Sequence, residues 1–253
     1  MIIDFHSHFL PSIDDGARDM EMALKMLGES YKQGVTDIVS TSHCYPHNSE
    51  DIDKFVEERD LAIENVKKAA CEQGVEIPKI HKGCEVHLTT DVAEMRSIKK
   101  LCINDGRYML LEMPSMGWSD RIIDCVYKLC LKGITPVIAH MERNLMQRNE
   151  LIESLYQLDV MIQINAVVFE DAHMKKFTDT MFRRQLVHVI GSDMHNLTSR
   201  KPNIEGAISH INKRYGKECV DYIMSLSEKI ILSEDIPISS LKSFKPKKIL
   251  GIF

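Results

Sequence analysis

The chain has 253 residues, 44% of them apolar and 27% charged, with a net charge of −5. That length supports one large domain with a substantial core, and no linker, repeat or low-complexity segment divides residues 1–253. Scattered Lys and Arg argue against non-specific nucleic-acid binding, and no apolar run nears the ~18–20 residues of a spanning helix, so membrane insertion is not expected.

Seven cysteines, an odd number without a C-x-x-C pair, indicate reduced thiols and a cytoplasmic location rather than a disulfide framework. Functional-looking residues begin at Asp4, so no leader is read at the start.

In chain order, Met1-Ile2-Ile3-Asp4-Phe5-His6-Ser7-His8 is an apolar strand running into His-x-His. Alternation puts His6 and His8 on one face, about 7 Å apart, where both can converge on one cation. The loop Pro11 to Gly16 carries Asp14 and Asp15. Helical spacing follows from Asp19 to Gln33, with Asp19 as N-cap and Gly34 as stop. A short strand, Asp37 to Thr41, ends in Ser42-His43, and a charged helix spans about Asp51 to Gln73 before Gly74. Lys79 to Glu85 predicts a third strand, and the stretch from Asp91 to Leu101 is helical and irregular. Arg107 to Glu112 is the fourth strand, Ile122 to Leu131 a helix, and Thr135 to His140 the fifth strand. A helix from Glu150 to Leu158 and strand Val160 to Asn165 come next. Then follow a helix from Met174 to Gln185 and strand Leu186 to Gly191, which delivers Ser192-Asp193-Met194-His195. Helices near 203–213 and 216–226 and a basic tail, Lys245 to Lys248, complete the chain.

Strands alternating with helices call for a parallel sheet, whose ligands bind at the carboxyl ends of the strands. His6, His8, His43, Glu85, Glu112, His140, Asp193 and His195 all fall at such ends. The fold expected is α/β, a distorted (β/α)7 barrel with a metal site at its carboxyl mouth. Mixed imidazole and carboxylate donors in this number exceed one tetrahedral zinc and suit two or three divalent ions. A carboxylate such as Glu85 can bridge two cations, and water between them is a hydroxide at neutral pH, suited to attack on phosphorus.

Asp4-Phe5-His6-Ser7-His8, Asp14-Asp15-Gly16-Ala17, Ser40-Thr41-Ser42-His43, Gly83-Cys84-Glu85-Val86, Thr135 to Arg143, Gln163-Ile164-Asn165 and Ser192-Asp193-Met194-His195 together resemble the polymerase-and-histidinol-phosphatase (PHP) superfamily. More narrowly, they resemble its bacterial protein-tyrosine phosphatases of capsular and exopolysaccharide synthesis. The resemblance runs from Met1 to about Pro202. It implies one metal on His6, His8, Glu85 and Asp193, a second on Glu85, Glu112 and His140, and a third on Asp15, His43 and His195. Asp14, beside Asp15, is chemically equivalent to it. The resemblance implies manganese, with iron or zinc as alternatives, and assigns Arg143 and Arg200 to the phosphate oxygens. It also implies a phosphotyrosine protein as substrate, a membrane-associated bacterial tyrosine autokinase, and leaves a homo-oligomer open.

His47 and His87 stand near the motifs, whereas His81, His173, His188 and His210 read as structural or surface residues, His188 packed among apolar neighbours. Val167-Val168-Phe169 replaces the small or polar residues that relatives often carry at the mouth. A cysteine-dependent tyrosine phosphatase needs Cys-x5-Arg, and no cysteine here has an arginine six positions on; Cys102 and Arg107 fall one short. No D-x-D-x-T follows an apolar strand and no P-loop is present. Within enzymes, the alternative is a small-molecule phosphoesterase such as histidinol-phosphate phosphatase, which uses the same ligands. From another class, the alternative is a metal-stabilised binding module without turnover.

Overall fold

The computed structural model describes residues 1–237 and 240–246; Lys245 of the basic tail is among them, and Lys247 and Lys248 lie outside. Its strands are short and all parallel. β1 (Ile3–Ser7) pairs with β2 (Asp37–Ser40), and β2 pairs with β4 (Lys79–His81). β3 (His43–Cys44) pairs with β5 (Glu85–His87), followed in order by β6 (Tyr108–Glu112), β7 (Thr135–Ile138), β8 (Met161–Asn165) and β9 (Val189–Gly191). The sheet curls until its last strand meets its first. Asp193 N–H donates to His6 O at 2.7 Å, His8 N–H donates to Met194 O at 2.9 Å, and Ser7 forms a parallel bridge with Met194.

Both ends of that contact depend on backbones in close approach. A Cβ on Gly191 would lie 2.3 Å from His6 Cβ, and one on Gly16 only 2.0 Å from His8 O. Any larger residue at either position forces the neighbouring backbone away.

Two sequence-predicted strands are interrupted. The third breaks over 82–84 into β4 and β5, because Glu85 N–H leaves the ladder to reach Thr41 O and Ser42 O. The second restarts as β3 at His43. The seventh is shorter than predicted, beginning at Val189 rather than Leu186, since His188 uses its ring Nδ1 to accept from Ile162 N–H at 2.8 Å.

Helices cover the outside. α1 (Met20–Lys32) is capped by Asp19, whose side chain accepts from Met22 N–H, and it buries Ala23, Leu24, Met26 and Leu27. α2 (Ser49–Gln73) starts earlier than predicted, because Asn48 supplies the cap to Asp51 N–H; Gly74 ends it at φ 63°. α3 (Asp120–Leu131) and α4 (Asn149–Tyr156) follow β6 and β7. A four-residue helix not predicted, α5 (Val167–Glu170), precedes α6 (Lys175–Arg183). α7 (Ile204–Tyr215) and α8 (Lys217–Ile231) finish the layer, and Ile3 N–H of β1 meets Met224 Sδ of α8 at 3.3 Å. On β1, Ile3 and Phe5 alternate with Asp4 and His6, so apolar side chains face one way and the polar set the other. No described helix is long and apolar enough to cross a membrane.

Candidate metal centre

The strand ends bring the candidate ligands together. His6 Nε2 and His8 Nε2 are 2.9 Å apart, and each lies 3.6 Å from Asp193 Oδ1. Glu85 sits centrally: Oε2 is 3.3 Å from His6 Nε2, 3.4 Å from His8 Nε2 and 3.0 Å from His43 Nδ1, while Oε1 is 2.6 Å from His140 Nε2. Glu112 Oε1 is 3.9 Å from His140 Nε2. Asp15 Oδ1 lies 3.5 Å from His43 Nε2 and 3.3 Å from His195 Nε2.

Ligand atoms within 4.8 Å of one another form three groups: His8, Asp15, His43 and His195; His6, His8 and Asp193; and His43, Glu85 and Glu112. His8 thus stands closer to the Asp15 group than the resemblance implied. Asp14 and Asp15 also separate clearly. Asp14 is committed to His8 Nδ1 at 2.8 Å, Gly16 N–H at 2.9 Å and His43 N–H at 2.9 Å, so it orients His8 while Asp15 faces the cluster.

The electrostatics follow from crowding ionisable groups away from water. Burial opposes charge on His6, but the Glu85 and Asp193 carboxylates outweigh it and its pKa rises to about 9. Burial also opposes charge on Glu85, yet His6 and the hydrogen bonds from His140, His43 and His6 hold it well below the usual carboxylate range. Asp193 is likewise lowered against its burial, by His6, Arg143, His8 and Arg200. Burial and the neighbouring His8 push His195 down to about 4.

Even so, His43 Nδ1, His140 Nδ1, His195 Nε2 and Glu85 Oε2 are buried without a well-aligned hydrogen bond, although His43 Nδ1 lies 3.0 Å from Glu85 Oε2 and His195 Nε2 3.3 Å from Asp15 Oδ1. Buried polar atoms are rarely left so, and orphaned imidazole nitrogens beside carboxylate oxygen are the donor set of a divalent metal. The residues present fit such ions. Two candidate ligands also stand on left-handed backbone, His140 at φ 33° and Asp193 at φ 53°. Strain of that kind in non-glycine residues concentrates at functional sites.

Arg143 Nη2 contacts Asp193 Oδ2, and Arg200 Nη2 reaches Asp193 Oδ1 at 2.6 Å; both guanidiniums extend toward solvent. His87 Nδ1 is 3.1 Å from Glu112 Oε2. His47 is exposed, with its backbone N–H on Asp51 Oδ2, and belongs to none of the three groups.

The profile described as "Capsular polysaccharide synthesis, CpsB/CapC" matches residues 2–233. The chain belongs to the CpsB/CapC family. Its relatives include the tyrosine-protein phosphatase CpsB of Streptococcus pneumoniae, 36% identical over 92% of this chain and 99% of that protein. The tyrosine-protein phosphatase YwqE of Bacillus subtilis is 27% identical over the full length of both. Among solved structures, one described as YwqE from Bacillus subtilis and CpsB from Streptococcus pneumoniae, "unique metal-dependent tyrosine phosphatases", superposes with a TM-score of 0.81. It is 25% identical and covers 98% of this chain and 100% of that one. An amidohydrolase from Mycoplasma synoviae shares the fold at a TM-score of 0.55 and 12% identity.

Sequence reasoning gave no role to three side chains of this CpsB/CapC chain that stand in or beside the site. Gln163 Oε1 accepts from His140 N–H at 2.7 Å and faces His6 Nδ1 at 3.1 Å; its amide donates to Asn165 Oδ1, and Asn165 donates to Asp193 Oδ2 at 2.9 Å. The signal was available: alternate positions of a buried strand, both polar, point the same way. Glu142, between His140 and Arg143, is a carboxyl that burial pushes up to about 7.

Proposed function

We propose that this chain is a metal-dependent protein-tyrosine phosphatase, with His6, His8, Asp15, His43, Glu85, Glu112, His140, Asp193 and His195 as ligands of two or three divalent ions. The observation that carries this reading is the buried knot of Glu85 and its imidazoles, close together but with several donor atoms making no well-aligned hydrogen bond. The phosphatase names of the relatives support the same conclusion. Manganese is the ion we favour, with iron and zinc compatible with the same donors. Bound ions of this kind neutralise phosphate charge and make water acidic enough to act as nucleophile.

The chain's own residues do the rest. Gln163 and Asp14 fix the ring orientations of His6 and His8 through Nδ1, leaving Nε2 toward the cluster. Arg143 and Arg200 are assigned to the phosphate oxygens, which their planar donors suit. An aryl ester asks least of such a site, because a tyrosine phenol with pKa about 10 leaves more readily than an alcohol. The substrate we propose is a phosphotyrosine protein, a bacterial tyrosine autokinase of capsule or exopolysaccharide synthesis, met in the cytoplasm. We further read residues 1–253 as one PHP-type domain and the curled sheet as a distorted (β/α)7 barrel. The hydrogen bonds from Asp193 and His8 across β9 and β1 support that closure.

The test is removal of metal by chelation and dialysis, verified by elemental analysis, followed by addition of manganese, iron or zinc. Turnover of a phosphotyrosine peptide should vanish and return with the metal. Full activity in metal-free protein, or faster turnover of histidinol phosphate than of the peptide, would overturn the reading.

A further inference from the structure

Tyr45 follows the two residues of β3 and leaves 55% of its surface open at the mouth of the sheet. Its ring centroid is 5.3 Å from that of His43, at an interplanar angle of 32°, and 5.4 Å from that of His87, at 46°. A cleft of about 210 Å³ adjoins it, lined also by His43, Pro46, Lys54 and Phe55. The other exposed tyrosines, Tyr31 and Tyr127, lie on α1 and α3. The exposed large apolar side chains in the segments that follow β6, β7 and β8, namely Met116, Leu145, Met146 and, at the start of α5, Val167, are not aromatic.

Exposed over half its surface and set beside two imidazoles, one of them a candidate ligand, Tyr45 offers aromatic surface next to the cluster. We infer that Tyr45 sets the specificity of the site, its ring stacking on the aryl ring of a phosphomonoester whose phosphoryl group is drawn to the ion that His43, Glu85 and Glu112 would hold. Offset or tilted ring pairs are favourable beyond the area they bury. An alkyl phosphate offers no such ring. The inference rests on the phosphatase reading and goes further, because it assigns aryl selectivity to binding as well as to the leaving group.

Non-hydrolysable phosphonates separate those two sources, since neither has a leaving group. Calorimetric Kd values for phenylphosphonate and methylphosphonate would be measured on manganese-loaded full-length protein, Tyr45→Ala and Tyr45→Phe, with metal content assayed in each. The wild type should prefer the phenyl compound by about 10-fold, the upper range of one aromatic contact. Tyr45→Ala should lose that preference at unchanged metal content, and Tyr45→Phe should restore it. An unchanged Kd ratio in Tyr45→Ala would overturn the inference. So would loss of metal in that variant, which would make Tyr45 a support for His43. A parallel assay of the wild type on an aryl phosphate keeps the two readings apart: turnover with an unchanged ratio removes only the role of Tyr45, and no turnover removes both.

Discussion

Two histidine-and-carboxylate clusters stand four residues apart along the interrupted strand of β4 and β5, and they are built on opposite terms. At His81 every polar atom is answered: Nε2 meets Asp37 Oδ1 at 2.8 Å, Nδ1 meets Asn104 Nδ2 at 3.1 Å, and Asn104 also donates to Ile231 O. At Glu85 the carboxylate meets imidazoles from β1, β3 and the turn after β7, but several of the buried nitrogen and oxygen atoms make no well-aligned hydrogen bond. A histidine between a carboxylate and an amide is a finished piece of structure. On the proposed reading, a histidine among histidines, sharing one carboxylate, is finished by a cation. Residue type alone does not distinguish them; the completeness of the hydrogen bonding does.

Glu85→Gln should therefore have the largest effect, with phosphotyrosine hydrolysis falling by on the order of 10²-fold or more and bound metal falling with it. Normal metal content together with a near-normal rate would dissolve the contrast between the clusters. Next comes the backbone contact on which the mouth is built. Gly191→Ala places a methyl on the His6 backbone and Cβ, and should cost about 3 kcal/mol in urea unfolding of the metal-free protein. Gly133→Ala is the control, because its φ of 74° is strained for alanine but nothing lies within 4 Å of the added carbon; it should cost about 1 kcal/mol. Equal losses in the two would mean that the closing contact of β1 with β9 is soft.

A third buried histidine sharpens the comparison through pH. His188 faces no carboxylate, and burial lowers its pKa to about 4. Unfolded, it binds a proton near pH 6.5, so the unfolded state gains protons first as the pH falls. Stability is lost on going down through that window, by about 2 kcal/mol at pH 5. His188→Asn keeps an acceptor for Ile162 N–H but cannot titrate there, and should lose less stability between pH 7 and pH 5 than the wild type. Identical acid sensitivity in both would show that other groups set it. The smallest effect belongs to the finished cluster. His81→Ala leaves Asp37 and Asn104 without a partner and should cost about 1–2 kcal/mol, with metal content and turnover per folded molecule unaltered. Metal loss in that variant would erase the boundary between the two clusters.

Much of this was legible in the residues. Alternation over Asp4, His6 and His8 assigned a face to each, and the rule that ligands gather at carboxyl strand ends collected His43, Glu85, Glu112, His140, Asp193 and His195 without knowledge of any contact. The caps at Asp19 and Gly74 were readable for the same local reason. What escaped depends on long-range geometry. The break over 82–84 exists because Glu85 turns its N–H to Thr41 and Ser42, partners more than forty positions away. Asp14 and Asp15 are alike in sequence and differ only in which histidine atom each meets. Gln163 and Asn165 belonged to a quoted motif, but their roles need the positions of His6, His140 and Asp193, which lie on other elements.

Asp4 accepts from both Ser192 N–H and Ser192 Oγ, at 2.8 and 2.6 Å, which ties the first strand to a residue 188 positions later. During synthesis the first strand leaves the ribosome long before its second neighbour exists. His6 and His8 must wait, with their carboxylate Asp193 still unmade. On the proposed ligand assignment, a chain cut short before β9 has no complete ligand group around β1, so metal capture there would report that the chain has passed β9. An ion bound there would favour only such a chain and, by binding the folded form, would draw the long-range closure toward the native state.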